Sequence, residues 1–336
     1  MNIGILDYGG NFCGPALGLA LLGHRVHYRG VGGFEPGDPT LLPFAPSPAA
    51  QGGHPSPEAE LEPILGAELV ILAGSFADEA WCRELGIQGD APLRPEDPLF
   101  ASINPRQAEF RNRWLEKRLG RIRRLVLVDM SDEGGLDPWF LAHGDMRFKR
   151  ELPLWEEADG VEPFPYLYHP QLLRTEFSAG LDAIRVSPDV LGRGGGVFFG
   201  GTLGHWRYGG RRRRVLERAR RKYPQIRIEA VESGLSVAQT WERLQWARAG
   251  LYLPGKGELC FRLHELAALG VPCWAPFEPS IRLPEAWLEV LRQDPSALAG
   301  PTQMLRFYLR HYHPREAGRY LEASLGLAPV ALSCSR

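Results

Sequence analysis

Residues 255–265 combine the residue types and the spacing that could do chemistry: two glycines, a lysine, an arginine and two glutamates. The apolar run Leu251–Leu253 before them predicts a short buried strand, and a helix is expected to run from this turn through Leu269 to Gly270. Unpaired N–H groups at the start of a helix, together with the helix dipole, favour negative charge. The turn Gly255–Gly257, which includes Lys256, is therefore a predicted anion site.

Glu258, Arg262 and Glu265 follow this turn at spacings of four and three residues, so in a helix all three share one face. A guanidinium pairs with a diphosphate, and a carboxylate accepts hydrogen bonds from ribose hydroxyls. The segment thus suits a sugar nucleotide. The alternative interpretation is an ordinary strand-to-helix crossover whose helix has a charged solvent face.

The same stretch resembles the donor-binding element of glycosyltransferases with the GT-B fold, in particular the exostosin-like and spore-coat-protein-like groups. Those families have a small or Gly-rich turn, an Arg and a Glu on the following helix, then Ala-Leu-Gly and a strand. The matching positions here are Gly257, Glu258, Arg262, Glu265 and residues 269–272. Many GT-B enzymes space two glutamates eight residues apart, whereas these are seven apart, so the resemblance favours Glu265 as the ribose ligand.

A second stretch resembles the same families in the same order along the chain. The buried strand predicted at Leu125–Val128 ends in Asp129 and Asp132, and Lys149 and a Pro-Phe-Pro sequence follow. Ligands bind at the carboxyl ends of strands in open α/β sheets. Asp7, Asp129 and Asp132 each lie at the carboxyl end of a predicted strand and are therefore candidates for a catalytic base. The resemblance makes Lys149 a candidate donor-binding residue, and an ordinary exposed residue on an edge strand is the alternative.

Strands that alternate with helices predict an α/β fold with parallel sheets. The resemblance implies two Rossmann-like doubly wound domains facing a cleft. Residues 1–191 are expected to form an acceptor-side domain and residues 192–300 a nucleotide-sugar domain. Helices in residues 301–336 would cross back to the first domain.

The predicted second domain begins with a Gly194–Gly196 linker and the strand Val197–Phe199. A glycine-rich loop follows, and in GT-B enzymes this loop approaches the donor diphosphate. The resemblance assigns donor contacts in this loop to Gly201, Thr202 and Arg207.

Residues 211–222 form a strongly basic predicted helix, with eight cations and one carboxylate, Glu217. Such a helix can dock on an anionic membrane or a polyanionic acceptor. A solvated charged face is the alternative, and it is the favoured one. Aromatic residues for base stacking are sparse, so no nucleic-acid partner is expected.

The composition is that of an ordinary globular protein: 336 residues, 44% apolar and 24% charged, with a net charge of −1. The length predicts about two domains. Five scattered cysteines without close pairs indicate a reducing cytoplasm and exclude a Cys-X-X-Cys site. The histidines lack a metal-ligand pattern, so no metal and no tightly bound cofactor is expected.

The sequence predicts a cytoplasmic, metal-independent glycosyltransferase that moves a sugar from a nucleotide-sugar to a hydroxyl acceptor; docking of the basic helix would make it peripheral to a membrane. A nucleotide-sugar epimerase of the same fold is one alternative. A sugar-nucleotide or polyanion binding protein that has lost catalysis is another. An NAD(P)-dependent oxidoreductase is disfavoured because neither domain has the full glycine fingerprint.

Overall fold

The computed structural model describes residues 1–7, 12–30, 62–74, 119–131, 136, 138–157, 159–187, 189, 191–204, 209–232, 234–255, 257–295, 298 and 300–327. The chain is an α/β protein with two sheets in which every strand pair is parallel. This confirms the predicted α/β fold with parallel sheets. Two compact units can be distinguished: one within Met1–Pro170 and Pro314–Arg336, and one formed by Gln171–His313.

The first unit contains a six-stranded sheet. Its strands, in the order β2-β1-β3-β4-β5-β6, are β1 (Asn2–Asp7), β2 (Arg25–Gly30), β3 (Leu69–Gly74), β4 (Leu125–Asp129), β5 (Met146–Lys149) and β6 (Val161–Pro163). The sequences of β1, β3 and β4 are almost continuously apolar, because central strands of a parallel sheet are buried on both faces.

The α-helices among the described residues of the first unit are α1 (Cys13–Leu21), α2 (Pro138–Ala142) and α9 (Pro314–Leu325). Helices α1 and α9 cross at two glycines. A Cβ atom on Gly18 would lie 1.9 Å from the Pro314 carbonyl oxygen, and one on Gly318 would lie 2.5 Å from Gly18 C. The buried His24–Glu322 contact (2.7 Å) lies between the same two parts of the chain. The last helix is therefore built into the first unit.

The second unit contains a four-stranded sheet in the order β10-β9-β7-β8. Its strands are β7 (Val197–Gly200), β8 (Ile228–Val231), β9 (Ala249–Leu251) and β10 (Cys273–Trp274). Its helices are α3 (Pro170–Ser178), α4 (Gly209–Lys222), α5 (Val237–Trp246), α6 (Phe261–Leu269), α7 (Glu285–Leu291) and α8 (Pro301–Phe307), and a π-helical turn follows at Tyr308–Tyr312. The apolar stripe of α4 packs on Phe199, Leu251 and Trp274.

The chain enters the second unit at Gln171, earlier than the predicted residue 192. The reason is a set of hydrogen bonds that hold residues 184–186 on this unit. Arg185 donates from Nε to the Ala268 carbonyl (2.9 Å), and Gln245 bonds the backbone of Ile184 and Val186. Among the described helices, none is long and apolar enough to cross a membrane.

Candidate functional site

The carboxyl ends of β7 and β9 form the candidate site of the second unit. The chain passes from β7 to β8 on one side and later returns to β9 on the other, so the strand order reverses between β7 and β9. Such a reversal is where open α/β sheets bind ligands. Predicted donor residues follow each strand: Gly201 and Thr202 after β7, and Gly255 and Gly257 after β9. The fold thus brings two separately predicted loops to one sheet edge.

Arg212, in the first turn of α4, connects these two loops. It donates from Nε to the Pro254 carbonyl and from Nη1 to the Thr202 carbonyl, each over 2.8 Å. Its guanidinium carbon lies 5.8 Å from the centre of the Phe199 ring. A Cβ atom on Gly255 would lie 3.5 Å from Arg212 Nη2, an ordinary van der Waals contact, so the guanidinium lies directly beside this glycine.

Arg262, in the first turn of α6, reaches the same edge. It donates from Nη2 to the Gly200 carbonyl (2.5 Å), and its Nη1 lies 2.9 Å from Glu265 Oε2 in an ion pair. The other Glu265 oxygen accepts a hydrogen bond from Trp241 Nε1 (2.8 Å). The Glu265 side chain is 7% exposed and that of Arg262 is 13% exposed. Both Glu265 oxygens therefore have protein partners, and one of those partners is the arginine of the site.

Glu258 lies before α6 and not on it, because the helix begins only at Phe261. The Tyr252 hydroxyl donates to the Glu258 carbonyl (2.7 Å) and accepts from the Cys260 amide (2.9 Å), which holds this stretch out of the helix. The prediction that Glu258, Arg262 and Glu265 share a helical face is wrong. So is the prediction that the helix opens at Gly255–Gly257.

The Glu258 carboxylate instead ties two other segments together. It accepts from Arg211 Nη2 (2.7 Å) and from both the amide (2.6 Å) and the hydroxyl (2.7 Å) of Ser280. Arg211 belongs to the first turn of α4, and Ser280 follows β10. Glu258 therefore links the segment after β9 to the start of α4 and to the segment after β10.

The charges at this edge favour an anion. Three guanidiniums, those of Arg211, Arg212 and Arg262, stand beside two carboxylates. Helices α4 and α6 both begin here, and their N-terminal dipoles add positive potential. Within the described ranges, no three His, Cys, Asp or Glu side chains come together so as to hold a metal ion.

Asp7, a predicted catalytic base, is fully buried at the end of β1 in the first unit. Its Oδ2 accepts from the Phe12 amide and from the Tyr28 hydroxyl, each over 2.7 Å. Burial first, and the Asp7 charge second, raise the pKa of Tyr28 well above its usual value. Tyr28 therefore remains a neutral donor to Asp7, and this carboxylate anchors the start of α1.

Asp129 was predicted to be a catalytic base and Lys149 a donor-binding residue, but the two side chains form an ion pair with each other. Lys149 Nζ donates to Asp129 Oδ2 (2.8 Å) and to Ser131 Oγ (2.7 Å), and the Ser131 amide donates to Asp129 Oδ1 (2.9 Å). The side chains of Asp129 and Lys149 are both fully buried. They lie opposite each other at the ends of β4 and β5.

Three predicted site residues, Asp132, Arg207 and Lys256, lie outside the described residues. The structure adds residues that the sequence argument had not assigned: Arg211, Arg212, Trp241, Tyr252 and Ser280. Arg211 and Arg212 had a signal, since they open a helix directly after a glycine-rich loop. Trp241 and Ser280 had none, because their contacts depend on which strands are neighbours.

Comparison with known proteins adds no relative to this description. The sequence matches none of the protein-family models against which it was scanned. A search of curated proteins returned no match either. The function of the site has to be argued from its own residues.

Proposed function

We propose that the edge formed by β7 and β9 binds the diphosphate of a nucleotide-sugar, and that the protein is a metal-independent glycosyltransferase. One observation carries the proposal: three arginines meet at the point where the strand order reverses, and two of them are held by buried glutamates. A GT-B arrangement of two Rossmann-like units, with transfer to a hydroxyl acceptor, is part of the proposal.

The chemistry needed at this edge is stabilisation of a leaving nucleoside diphosphate. Preorganised guanidiniums and helix N-termini offset such a charge without reorganising during the reaction. Arg262 is preorganised in this sense, since Gly200 and Glu265 fix both ends of its guanidinium. Gly201 carries no side chain and is partly exposed, so its backbone is open to phosphate oxygens, whereas Gly255 is buried.

The contacts of Glu265 support a role different from the predicted one of ribose ligand. Its carboxylate receives the Trp241 indole on one oxygen and pairs with Arg262 on the other. In the proposed mechanism Glu265 is a positioning residue that orients Arg262 toward the diphosphate.

The proposal assigns no catalytic base among the described residues of the first unit. The Asp7 carboxylate is fully buried and accepts two hydrogen bonds, and Asp129 is fully buried against Lys149. A general base must reach the hydroxyl proton that it removes. These contacts favour a second candidate function, a nucleotide-sugar binding protein without turnover.

The experiment is a thermal-shift panel with UDP, GDP, ADP, CMP, dTDP and NAD, each with and without magnesium. A ligand that binds only the folded protein raises the melting temperature by mass action. The proposal expects one nucleoside diphosphate to stabilise the protein without magnesium, and Arg262→Ala to lose that shift. Arg292→Ala is the matched control, because it also removes an arginine from an ion pair, that with Glu278, in the same unit.

The outcomes separate the candidates. Stabilisation by NAD alone, or a full nucleotide shift in Arg262→Ala, would contradict the donor site. Product analysis with the matching nucleotide-sugar then decides the reaction. Transfer to an added hydroxyl acceptor supports the glycosyltransferase, interconversion of sugar isomers supports an epimerase, and binding without any product supports the binding protein.

A further inference from the structure

A cleft lies at the end of the second unit's sheet that is opposite the arginine site. Its volume is about 270 Å³, and it is formed where β7 and β8 begin and α5 ends. The lining residues are Gly194, Gly196, Val197, Phe198, Arg227, Glu229, Arg243, Trp246 and Ala247. The arginine site is at the carboxyl ends of the same strands, so this cleft is a separate feature.

Trp246 supplies the large apolar surface of the cleft. It is the last residue of α5, and it is 52% exposed, unusual for a side chain of this size. Its indole N–H donates to no acceptor among the described residues. The ring therefore offers both an apolar surface and a hydrogen-bond donor to an occupant of the cleft.

The run Gly194–Gly196, predicted to be a linker, forms one wall of the cleft. The Gly194 amide donates to the Trp246 carbonyl (2.7 Å), which holds the run beside the indole. A Cβ atom on Gly194 would lie 2.5 Å from Trp246 Cδ1 and 2.8 Å from Nε1, too close for any side chain. Gly195 has a φ of +67°, in the region that favours glycine. The glycines thus let the backbone of this run pack directly against one edge of the indole.

Charged groups of both signs border the cleft. Arg243 Nη1 and Glu229 Oε1 form an ion pair over 2.7 Å, with side chains 48% and 47% exposed. Arg227 lies next to them. A ligand with hydroxyl groups can donate to the carboxylate and accept from the guanidiniums at once.

We propose that this cleft is a binding site for one sugar ring of a saccharide. The ring's C–H groups would pack on Trp246, and its hydroxyls would bond Glu229, Arg243 and the indole N–H. The volume falls just below the roughly 300–1,000 Å³ of drug-sized ligand sites, which suits one ring better than a whole sugar nucleotide. The inference does not rest on the proposed transfer reaction.

The test is saturation-transfer NMR on the full chain with methyl glycosides of glucose, galactose, mannose and N-acetylglucosamine as probes. We expect at least one glycoside to bind in the millimolar range and Trp246→Ala to weaken that binding about tenfold or more. Gly194→Ala, which places a methyl group against the indole, should have the same effect. Trp155→Ala is the matched control, since Trp155 is 71% exposed on the first unit, and it should bind as wild type.

Nucleotide binding provides a readout that is independent of the glycosides. Trp246→Ala should keep the wild-type nucleotide shift, whereas Arg262→Ala should lose that shift and keep glycoside binding. Failure of the proposed function is therefore distinguishable from failure of this site. No binding of any glycoside, binding unchanged in Trp246→Ala, or loss of nucleotide binding in Trp246→Ala would each overturn the proposal.

Discussion

The indole nitrogen of Trp241 lies 2.8 Å from Glu265 Oε1, and this hydrogen bond links helix α5 to the ion pair of Arg262. The carboxylate is 7% exposed, so water does not readily replace a hydrogen bond that is lost there. Hydrogen bonds to charged groups contribute about 1.5–3 kcal/mol. Trp241 therefore contacts Arg262 indirectly, through Glu265.

Replacement of Trp241 by Phe should keep most of the packing and remove only the donor. We expect Trp241→Phe to weaken nucleotide binding about tenfold, because Arg262 is then less firmly oriented. Titration calorimetry of the stabilising nucleotide measures this, and Trp155→Phe should leave the affinity unchanged. An unchanged affinity in Trp241→Phe would show that the hydrogen bond to Glu265 does not orient Arg262.

The sequence predicted the elements of the second unit well but not the side-chain partners. The strand expected at Leu251–Leu253 pairs only over Ala249–Leu251, although the chain remains buried through Leu253. An apolar run indicates which residues are buried. Here the chain stays buried beyond the last residue that pairs with a neighbouring strand. Strand bounds near a site are thus less predictable than the presence of the strand.

Glu258 shows why the rest of the site could not be predicted. Its partners are Arg211, 47 residues earlier, and Ser280, 22 residues later. Helical spacing could only pair it with Arg262. The true partners follow from the order β10-β9-β7, which brings the residues after β10 and the start of α4 together. The local sequence pattern contains no information on the order of the strands in the sheet.

The Asp129–Lys149 pair should be strongly coupled, since both side chains are fully buried. Lys149→Met leaves the carboxylate without its cation, and removal of one partner of a buried pair typically costs about 3–5 kcal/mol. The double variant Asp129→Asn/Lys149→Met should cost less than the sum of the two single variants, by about 0.5–3 kcal/mol.

Urea unfolding of the four proteins measures this coupling. Lys222→Met, on the exposed face of α4, is the control and should change stability by no more than about 0.5 kcal/mol. If the free-energy costs of the two single variants simply add up in the double variant, the two buried charges do not stabilise each other.

Glu176 should make the stability of the second unit depend on pH. Burial raises its pKa from 4.5 to about 7, against the opposing effects of the Tyr308 hydroxyl and Arg185. His313 Nε2 lies 3.5 Å from its other oxygen. Because the folded pKa is the higher one, the stabilisation is complete below about pH 4.5 and is lost as the pH rises through about 7.

The shift corresponds to about 3 kcal/mol between pH 4.5 and pH 7. Glu176→Gln keeps an oxygen that accepts from Tyr308 and cannot ionise, so its melting temperature should lack this fall. Melting curves at several pH values test the expectation, with Glu278→Gln, 65% exposed, as the control that retains the fall. A Glu176→Gln variant with the wild-type pH profile would contradict the assignment.

Helix α4 carries six cations besides the two at the arginine site. Arg213, Arg214, Arg218, Arg220, Arg221 and Lys222 are all exposed, and none forms an ion pair with a carboxylate among the described residues. The apolar side of α4 is buried on the sheet, so the helix can meet a membrane only through its charges. Near an anionic membrane each such cation contributes about 1 kcal/mol.

A contact with anionic lipid therefore predicts co-sedimentation with vesicles that contain phosphatidylglycerol and none with pure phosphatidylcholine. Changing Arg213, Arg214, Arg218 and Arg221 to Gln should weaken that binding by up to about a thousandfold, from the loss of four such contributions. The binding should also weaken as salt is raised, since screening shortens the reach of exposed charges. Equal sedimentation of wild type and the fourfold variant would show that α4 is only a solvated face.

Because Arg211 and Arg212 remain in the variant, its nucleotide shift should be unchanged, which separates a surface role of α4 from its role at the arginine site.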